Sequence, residues 1–348
     1  MTSGPNNVPT RIAVVGYGRF GKLHAQIVED HPLAVLAAVV EPSEQAREQA
    51  RASHRQVSVY PDMRGLLDEP VDAVLIVSPE DTHAAIAEES FRAGMHVFSE
   101  KPLALGLEEA RRLVETSGRA GLIYQAGYVL RYETRHRMLW DLVNDGSRIG
   151  DVSIIRAKRD ISRSWFESYG SRVHPVYETL VHDIDLAVWF SGAKAETISA
   201  WSRHYLGENT PETFIVVVEF TNDTIAVLET TWLVPDGAPV NIVDWAEGGG
   251  VIDAALEISG SKGTGTVKTY EPSLALSTAE GTLYPDTAFW PVVGGKVGGA
   301  LRTELWDFLA RARGDEHESV ASIEDALHVQ EIAEAALEAA ERQQPVTI

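Results

Sequence analysis

The chain has 348 residues, 44% hydrophobic and 23% charged, which suits a soluble protein of about two domains. Its formal net charge of −21 argues against a nucleic-acid backbone or an anionic membrane surface as partner, because both are bound through clustered Lys and Arg. With no cysteine, disulfides, thiolate nucleophiles and Cys-ligated zinc are excluded as well. The polar opening MTSGPNNVPT and the lack of any long apolar run lead us to expect a cytoplasmic protein.

In chain order, RIAVVG, AVLAAVVE, VDAVLIVSP, HVFSE and LIYQAGYV read as strands buried on both faces. Between them lie the helical stretches FGKLHAQIVED, SEQAREQARA, THAAIAEESFRAG and LEEARRLVETSG, with Gly94 and Gly118 expected as C-caps. This alternation predicts an α/β domain with a doubly wound parallel sheet over residues 1–130. Beyond it, a helix ETLVHDIDLAVWFSG follows Pro175. Alternating strands come next: TFIVVVEFT, TIAVLETTW, ALEISGS and GTVKTYE. Turn pairs at Asn222–Asp223, Asp236–Gly237 and Lys262–Gly263 separate them, and a glycine cluster at Gly248–Gly250 reads as a loop or hairpin. Two amphipathic helices close the chain. Residues 131–348 are therefore expected to form an α+β domain built on one large, mostly antiparallel sheet.

The stretch Gly16-Tyr17-Gly18-Arg19-Phe20-Gly21 is a G-x-G-x-x-G placed directly after a strand and opening a helix. In that context Gly16 makes the tight turn, Gly18 lets backbone approach a pyrophosphate and Gly21 lets helix and strand pack closely. The helix N-terminus points its open N–H groups at the phosphates. Glu41 ends the second strand twenty residues after Gly21, where a carboxylate accepts from the adenosine ribose hydroxyls and repels a 2′-phosphate. A dinucleotide is expected, with NAD favoured over NADP.

Lys101, in SEKP, lies at the C-terminal end of a strand, the ligand-binding edge of an open α/β sheet. Its ammonium there suits a hydroxyl that is losing a hydride, although a solvated strand-end lysine has the same position. Glu178, His182 and Asp185 are spaced i, i+4, i+7, so on a regular helix they share a face, with Val181, Ile184 and Val188 forming the apolar stripe beside it. An imidazole between acids makes a general base, and the same spacing also makes surface pairs. A metal held by His174, Glu178 and His182 is disfavoured by the loose spacing, and no metal is expected. His24 and His83 stand near helix starts at the cofactor edge. From Arg156 to Tyr177 the chain is basic and aromatic, with Trp165, Tyr169 and Arg172 included. It reads either as contacts to a polyhydroxylated, acidic substrate or, preferably, as a basic edge strand with acidic neighbours.

Together these motifs resemble the glucose-fructose oxidoreductase/inositol dehydrogenase family, Gfo/Idh/MocA, over nearly the whole chain. The resemblance is carried by GYGRFGKLHA, by VSPEDTHAAIAEESFRAGMHVFSEKPLA with its E-K-P, by AGYVLRY, by HDID and by SIEDALHVQEIAEAALEAA. It implies an NAD(P)-dependent oxidoreductase of sugars, sugar derivatives or cyclitols that assembles as a homodimer or homotetramer. Carried onto this sequence, Lys101 anchors the reacting oxygen and His182 moves its proton, with Glu178 beside it. Cofactor contacts are implied for Gly16, Tyr17, Gly18, Arg19, Phe20, Gly21, Glu41, Ser78, Pro79, His83, Glu100 and Lys101. Substrate contacts are implied for Lys101, Tyr128, Arg131, Trp165, Glu178 and His182. Two positions depart from the pattern: Glu178 stands where the family often has aspartate, and Val129 where it often has asparagine. Relatives also suggest two alternatives, NAD-dependent glycoside cleavage by transient oxidation and a non-catalytic NAD-binding regulator.

Overall fold

A computed structural model describes residues 8–169, 173–206, 210–235, 238–241, 250–269, 274–279, 281–315 and 319–348. The expected turn at Asp236–Gly237, Gly248, Gly249 and Arg172 lie outside them, as does the side chain of Tyr169. The chain forms two compact units, one of Met1–Gly127 with Val292–Glu324 and one of Tyr128–Pro291 with Asp325–Ile348. No helix of the described residues is long and apolar enough to cross a membrane.

The first unit holds a six-stranded, wholly parallel sheet of order β3-β2-β1-β4-β5-β6. Its strands are β1 (Thr10–Val15), β2 (Ala34–Val40), β3 (Ser58–Tyr60), β4 (Ala73–Ile76), β5 (His96–Ser99) and β6 (Tyr124–Ala126). The crossovers are α1 (Arg19–Asp30), α2 (Glu44–Ser53), the short α3 (Met63–Leu66), α4 (His83–Arg92) and α5 (Leu107–Ala120). Val, Ile, Leu and Ala fill β1 and β4 because helices cover both faces of a parallel sheet. Gly94 takes the expected left-handed φ of +80° after α4. The C-cap of α5, however, is Gly121 at φ +65°, and Gly118 lies inside the helix, which runs one turn further than the sequence suggests.

In the second unit α6 (Thr134–Asn144) is followed by β7 (Val152–Ile161), α7 (Arg163–Tyr169), a π-helical turn at Val176–Leu180 and α8 (Val181–Ser191). Then come β8 (Ala195–Arg203), β9 (Thr213–Phe220), β10 (Ile225–Thr231), β11 (Ile252–Gly260) and β12 (Thr264–Lys268). A small ribbon pairs β13 (Leu276–Thr278) with β14 (Gly281–Leu283). The chain next returns to the first unit as β15 (Val292–Val293), β16 (Lys296–Val297) and α9 (Gly299–Ala312), before α10 (Ile323–Arg342) and β17 (Val346–Thr347). The single boundary near residue 130 thus misses this return. Phe308 of α9 packs on Phe98 of β5, and Trp306 meets His31 edge-on, which gives α9 its apolar partners in the first unit.

The seven-stranded sheet has the order β12-β11-β7-β10-β9-β8-β17 and is antiparallel apart from the β7–β10 pair. The basic stretch starting at Arg156 is therefore a central strand, not an edge. Its charges are met across the sheet and from α8: Lys158 Nζ is 2.7 Å from Asp253 Oδ2, and Arg159 grips Asp183 with two 2.9 Å bonds. Arg156, Lys158, Glu229, Asp253, Glu257 and Lys268 line a hollow of about 420 Å³ on the sheet's other face.

Glu133 caps α6 by accepting from the Arg135 and His136 backbone N–H groups at 3.0 Å, and it also accepts from the His136 ring at 2.7 Å. Burial alone would push this carboxyl up, but the donors outweigh it and bring it down to about 2. Its folded-state pKa is depressed, so the stabilisation it contributes is present above the ordinary glutamate pKa and lost as pH falls toward 2. Urea unfolding of Glu133→Gln should show lower stability at neutral pH and a flatter acid limb than the wild type between about pH 4.5 and 2.

Candidate active site

Parallel register brings the functional positions of the first unit into one row. Val15 pairs with Val40 and with Ile76, Ile76 with Ser99, and Ser99 with Ala126. The ladder then continues one residue past the strands. Gly16 N–H bonds Val40 O (2.8 Å), Glu41 N–H bonds Tyr60 O (2.9 Å), Glu100 N–H bonds Ile76 O (2.9 Å) and Gly127 N–H bonds Ser99 O (2.8 Å). Gly16, Glu41, Ser78, Glu100 and Lys101 thus stand along the carboxyl edge, where open α/β sheets bind ligands.

The glycine loop divides its tasks by space. A Cβ on Gly21 would lie 2.0 Å from Gly16 O, and one on Gly16, at φ +93°, would lie 2.5 Å from Val77 O. A Cβ on Gly18 would meet nothing within 4 Å. The first two glycines are packing requirements, while Gly18 leaves open space beside the N-terminus of α1, which has no side-chain cap. That opening suits a pyrophosphate. Arg19 and Phe20 are partly exposed there. Tyr17 departs from expectation: its ring is 3% exposed, and its hydroxyl is 2.7 Å from His54 Nε2, whose Nδ1 is 2.7 Å from Glu29. It therefore offers the loop its backbone, and that N–H donates to Glu41 Oε2 at 2.8 Å.

Glu41 is 9% exposed, and its other oxygen accepts from Ser43 N–H at 2.8 Å. Two backbone donors fix the carboxylate and leave lone pairs for the two ribose hydroxyls. Arg47, the nearest cation along the chain, donates to the carbonyls of Glu41 (2.7 Å) and Pro42 (2.6 Å) and pairs with Glu44. So engaged, it is poorly placed to receive a 2′-phosphate.

At the other end of the row Ser78 and Lys101 are partly exposed and Pro79 is exposed. Glu100 keeps 13% of its side chain accessible, and Lys101 is joined to Pro102 by a cis peptide. His24 and His83 are not on the surface: they are 0% and 1% exposed, so neither ring reaches a cofactor. The sequence signals a histidine at both places but not that each is turned inward.

In the second unit every residue from Val176 to Ser191 is buried except Glu178 and His182. The π-helical turn is pinned by Thr179, whose hydroxyl donates to Pro175 O (2.8 Å), lies 3.1 Å from Thr230 Oγ1 and accepts from Trp232 Nε1 (3.2 Å). Asp185 does not join the accessible pair. It is 0% exposed and bound by Arg131 through Nε at 2.9 and 3.1 Å and through Nη2 at 2.7 Å. Arg131, expected at the substrate, is itself 1% exposed, held by Asp185 and Asp325, and lies over the Trp189 ring. Tyr128, also 1% exposed, packs in the core. Trp165 is partly buried on the Ile161, Phe166 and Trp232 cluster, with its indole filling the space a Cβ on Gly250 would take. His174 is partly exposed; burial and nearby His204 push its imidazole down to about 4. Among the described residues no cluster of three His, Asp or Glu side chains is arranged for a metal.

The glycine geometry predicts opposite outcomes for two similar changes. Gly21→Ala should destabilise the fold by several kcal/mol in thermal melts, because helix and strand must separate. Gly18→Ala should melt within about 1 kcal/mol of wild type yet bind NAD at least ~10-fold more weakly by fluorescence titration.

Comparison with known proteins places this geometry. Residues 10–128 match the family described as "Oxidoreductase family, NAD-binding Rossmann fold", and residues 136–266 match the GFO/IDH/MocA C-terminal domain. The chain is 26% identical over 260 residues to the myo-inositol 2-dehydrogenase of Thermotoga maritima, covering 73% of each protein. Two solved structures share the fold. GenD2 from gentamicin A biosynthesis, in complex with NAD, has a TM-score of 0.83 at 21% identity, covering 100% of this chain and 99% of that one. Scyllo-inositol dehydrogenase from Lactobacillus casei, with bound NAD(H) and scyllo-inositol, has a TM-score of 0.78 at 23% identity, covering 97% and 99%. With both halves of its sequence matched, and with the glycine loop and Glu41 arranged to take a dinucleotide, the chain belongs to the Gfo/Idh/MocA family of NAD-binding oxidoreductases.

Proposed function

We propose that the protein is an NAD-dependent dehydrogenase of a cyclitol or sugar, with Lys101 anchoring the reacting oxygen and His182 as its general acid/base. The reading rests above all on one observation: along an otherwise buried helical segment, an imidazole and a carboxylate alone keep access to solvent. Burying that helix while leaving two polar groups accessible is what a proton-handling site needs. The nicotinamide, when bound, takes up the hydride. Lys101 would stabilise the negative charge that develops on the oxygen, and His182 would accept its proton, with Glu178 orienting the ring or holding a neighbouring hydroxyl. Cofactor binding is assigned to the first unit, substrate binding and self-association as a homodimer or homotetramer to the second. The names of the Thermotoga relative and of the Lactobacillus ligand, an inositol in both, make cyclitols the first substrates to try.

The test is a screen for NADH formation with NAD or NADP against cyclitols, aldoses and uronic acids; no turnover with any neutral polyol would overturn the reading. Lys101→Ala should lose at least ~100-fold in kcat while still binding NAD, and His182→Asn should lose ~10²–10⁴-fold. If both act on one oxygen, the double variant should be little worse than the poorer single one. Glu41→Ser should weaken NAD and narrow the NAD-over-NADP preference by ~10-fold or more.

A further inference from the structure

Beside Lys101 the first unit holds a buried imidazole that the proposed reaction does not use. His83 opens α4, with Nδ1 2.8 Å from the Pro102 carbonyl oxygen and Nε2 2.9 Å from the Ser78 carbonyl oxygen. A single ring therefore bridges the turn that ends β4 and the turn that ends β5, the two that carry Ser78 and Lys101. At 1% exposure it has no surface with which to touch a ligand. Carbonyls only accept, so a neutral ring donates to one of the two at a time. The turn at Ser78 has its own closures: Ser78 Oγ lies 2.6 Å from Thr82 Oγ1, and both the Thr82 hydroxyl (2.6 Å) and the Thr82 N–H (2.9 Å) bond Pro79 O. The bond to Pro102, one residue past Lys101, is thus the one whose loss would be felt. On the other side of Lys101, Glu100 is braced by its N–H bond to Ile76 O at 2.9 Å. The ring of His24 also approaches it, with Nε2 3.2 Å from Glu100 Oε1 and Nδ1 2.9 Å from the Phe20 carbonyl oxygen.

We propose that His83 is a positioning residue: through the Pro102 carbonyl it fixes the Glu100–Pro102 turn and so presents the Lys101 ammonium at the sheet edge, touching neither cofactor nor substrate. The inference deepens the dehydrogenase reading, and only its kinetic arm depends on that reading. Asparagine places an amide donor near Nδ1, toward Pro102, whereas glutamine places one near Nε2, toward Ser78. His83→Asn should keep kcat within ~3-fold of wild type, while His83→Gln loses ~100-fold in kcat with NAD affinity and polyol KM changed less than ~3-fold. In the chain without ligand, hydrogen exchange in the segment around Lys101 should accelerate in His83→Gln and not in His83→Asn, with α1 unchanged in both. Equal behaviour of the two amides, or a kcat loss that tracks NAD affinity, would overturn the proposal. Exchange around Lys101 that stays at the wild-type rate in His83→Gln would overturn it as well. If the wild type turns over no polyol, the function reading fails, and the exchange measurement still decides the role of His83.

Discussion

The first unit depends on one close approach. Gly21 sits so near the Gly16 carbonyl that any side chain there would overlap it, and this contact brings the start of α1 directly over the end of β1. From that contact the rest follows. The loop can turn at Gly16, the Tyr17 N–H falls within reach of Glu41, and the uncapped helix end opens onto the space beside Gly18. Further along the same helix, His24 is carried to Glu100. Glycine costs backbone entropy, on the order of 1 kcal/mol per position against alanine, and here that cost secures geometry no other residue allows. The open space beside Gly18, the placement of Glu41 and the approach of His24 to the lysine turn are therefore not independent features.

The second unit solves a different problem, holding one helix still while leaving two of its polar groups accessible. Two buried ion pairs do this. Asp183 is gripped by Arg159 of β7, and Asp185 by Arg131, one and three residues after His182. Buried pairs are weak evidence for net stability, since desolvation of both charges offsets most of their attraction. Their geometry is nonetheless demanding, because leaving either charge without its partner costs several kcal/mol. Their consequence here is a fixed rotation of α8. Arg131 and Arg159, basic residues that draw the eye as anion contacts, are spent on that task.

Much of the site was legible in the sequence because its signals are local. A strand followed by G-x-G-x-x-G, a carboxylate after the next strand and a lysine at a later strand end each report a position along the chain, and parallel pairing turns those positions into one row. What misled were inferences about where side chains point. A π-helical turn lies across the spacing of Glu178, His182 and Asp185, and Asp185 found a buried guanidinium instead of the histidine. Tyr17 turned inward to His54, and the basic stretch became the middle of a sheet. Strand order, unlike strand existence, depends on partners distant in sequence.

The sequence by itself determined the two fold classes, the dinucleotide loop, the carboxylate at the end of β2 and the positions of Lys101 and His182. Periodicity, glycine spacing and strand ends are short-range properties, readable one segment at a time. Only the tertiary structure decided which polar groups are spent on the scaffold and which remain accessible, and that α9 returns to the first unit. Burial and ion pairing are settled by residues far apart in the chain, as when Arg131 meets both Asp185 and Asp325. The two inward-facing imidazoles are the clearest case: sequence could mark His24 and His83, but the folded unit alone turned them from the ligand edge toward the turn that carries Lys101.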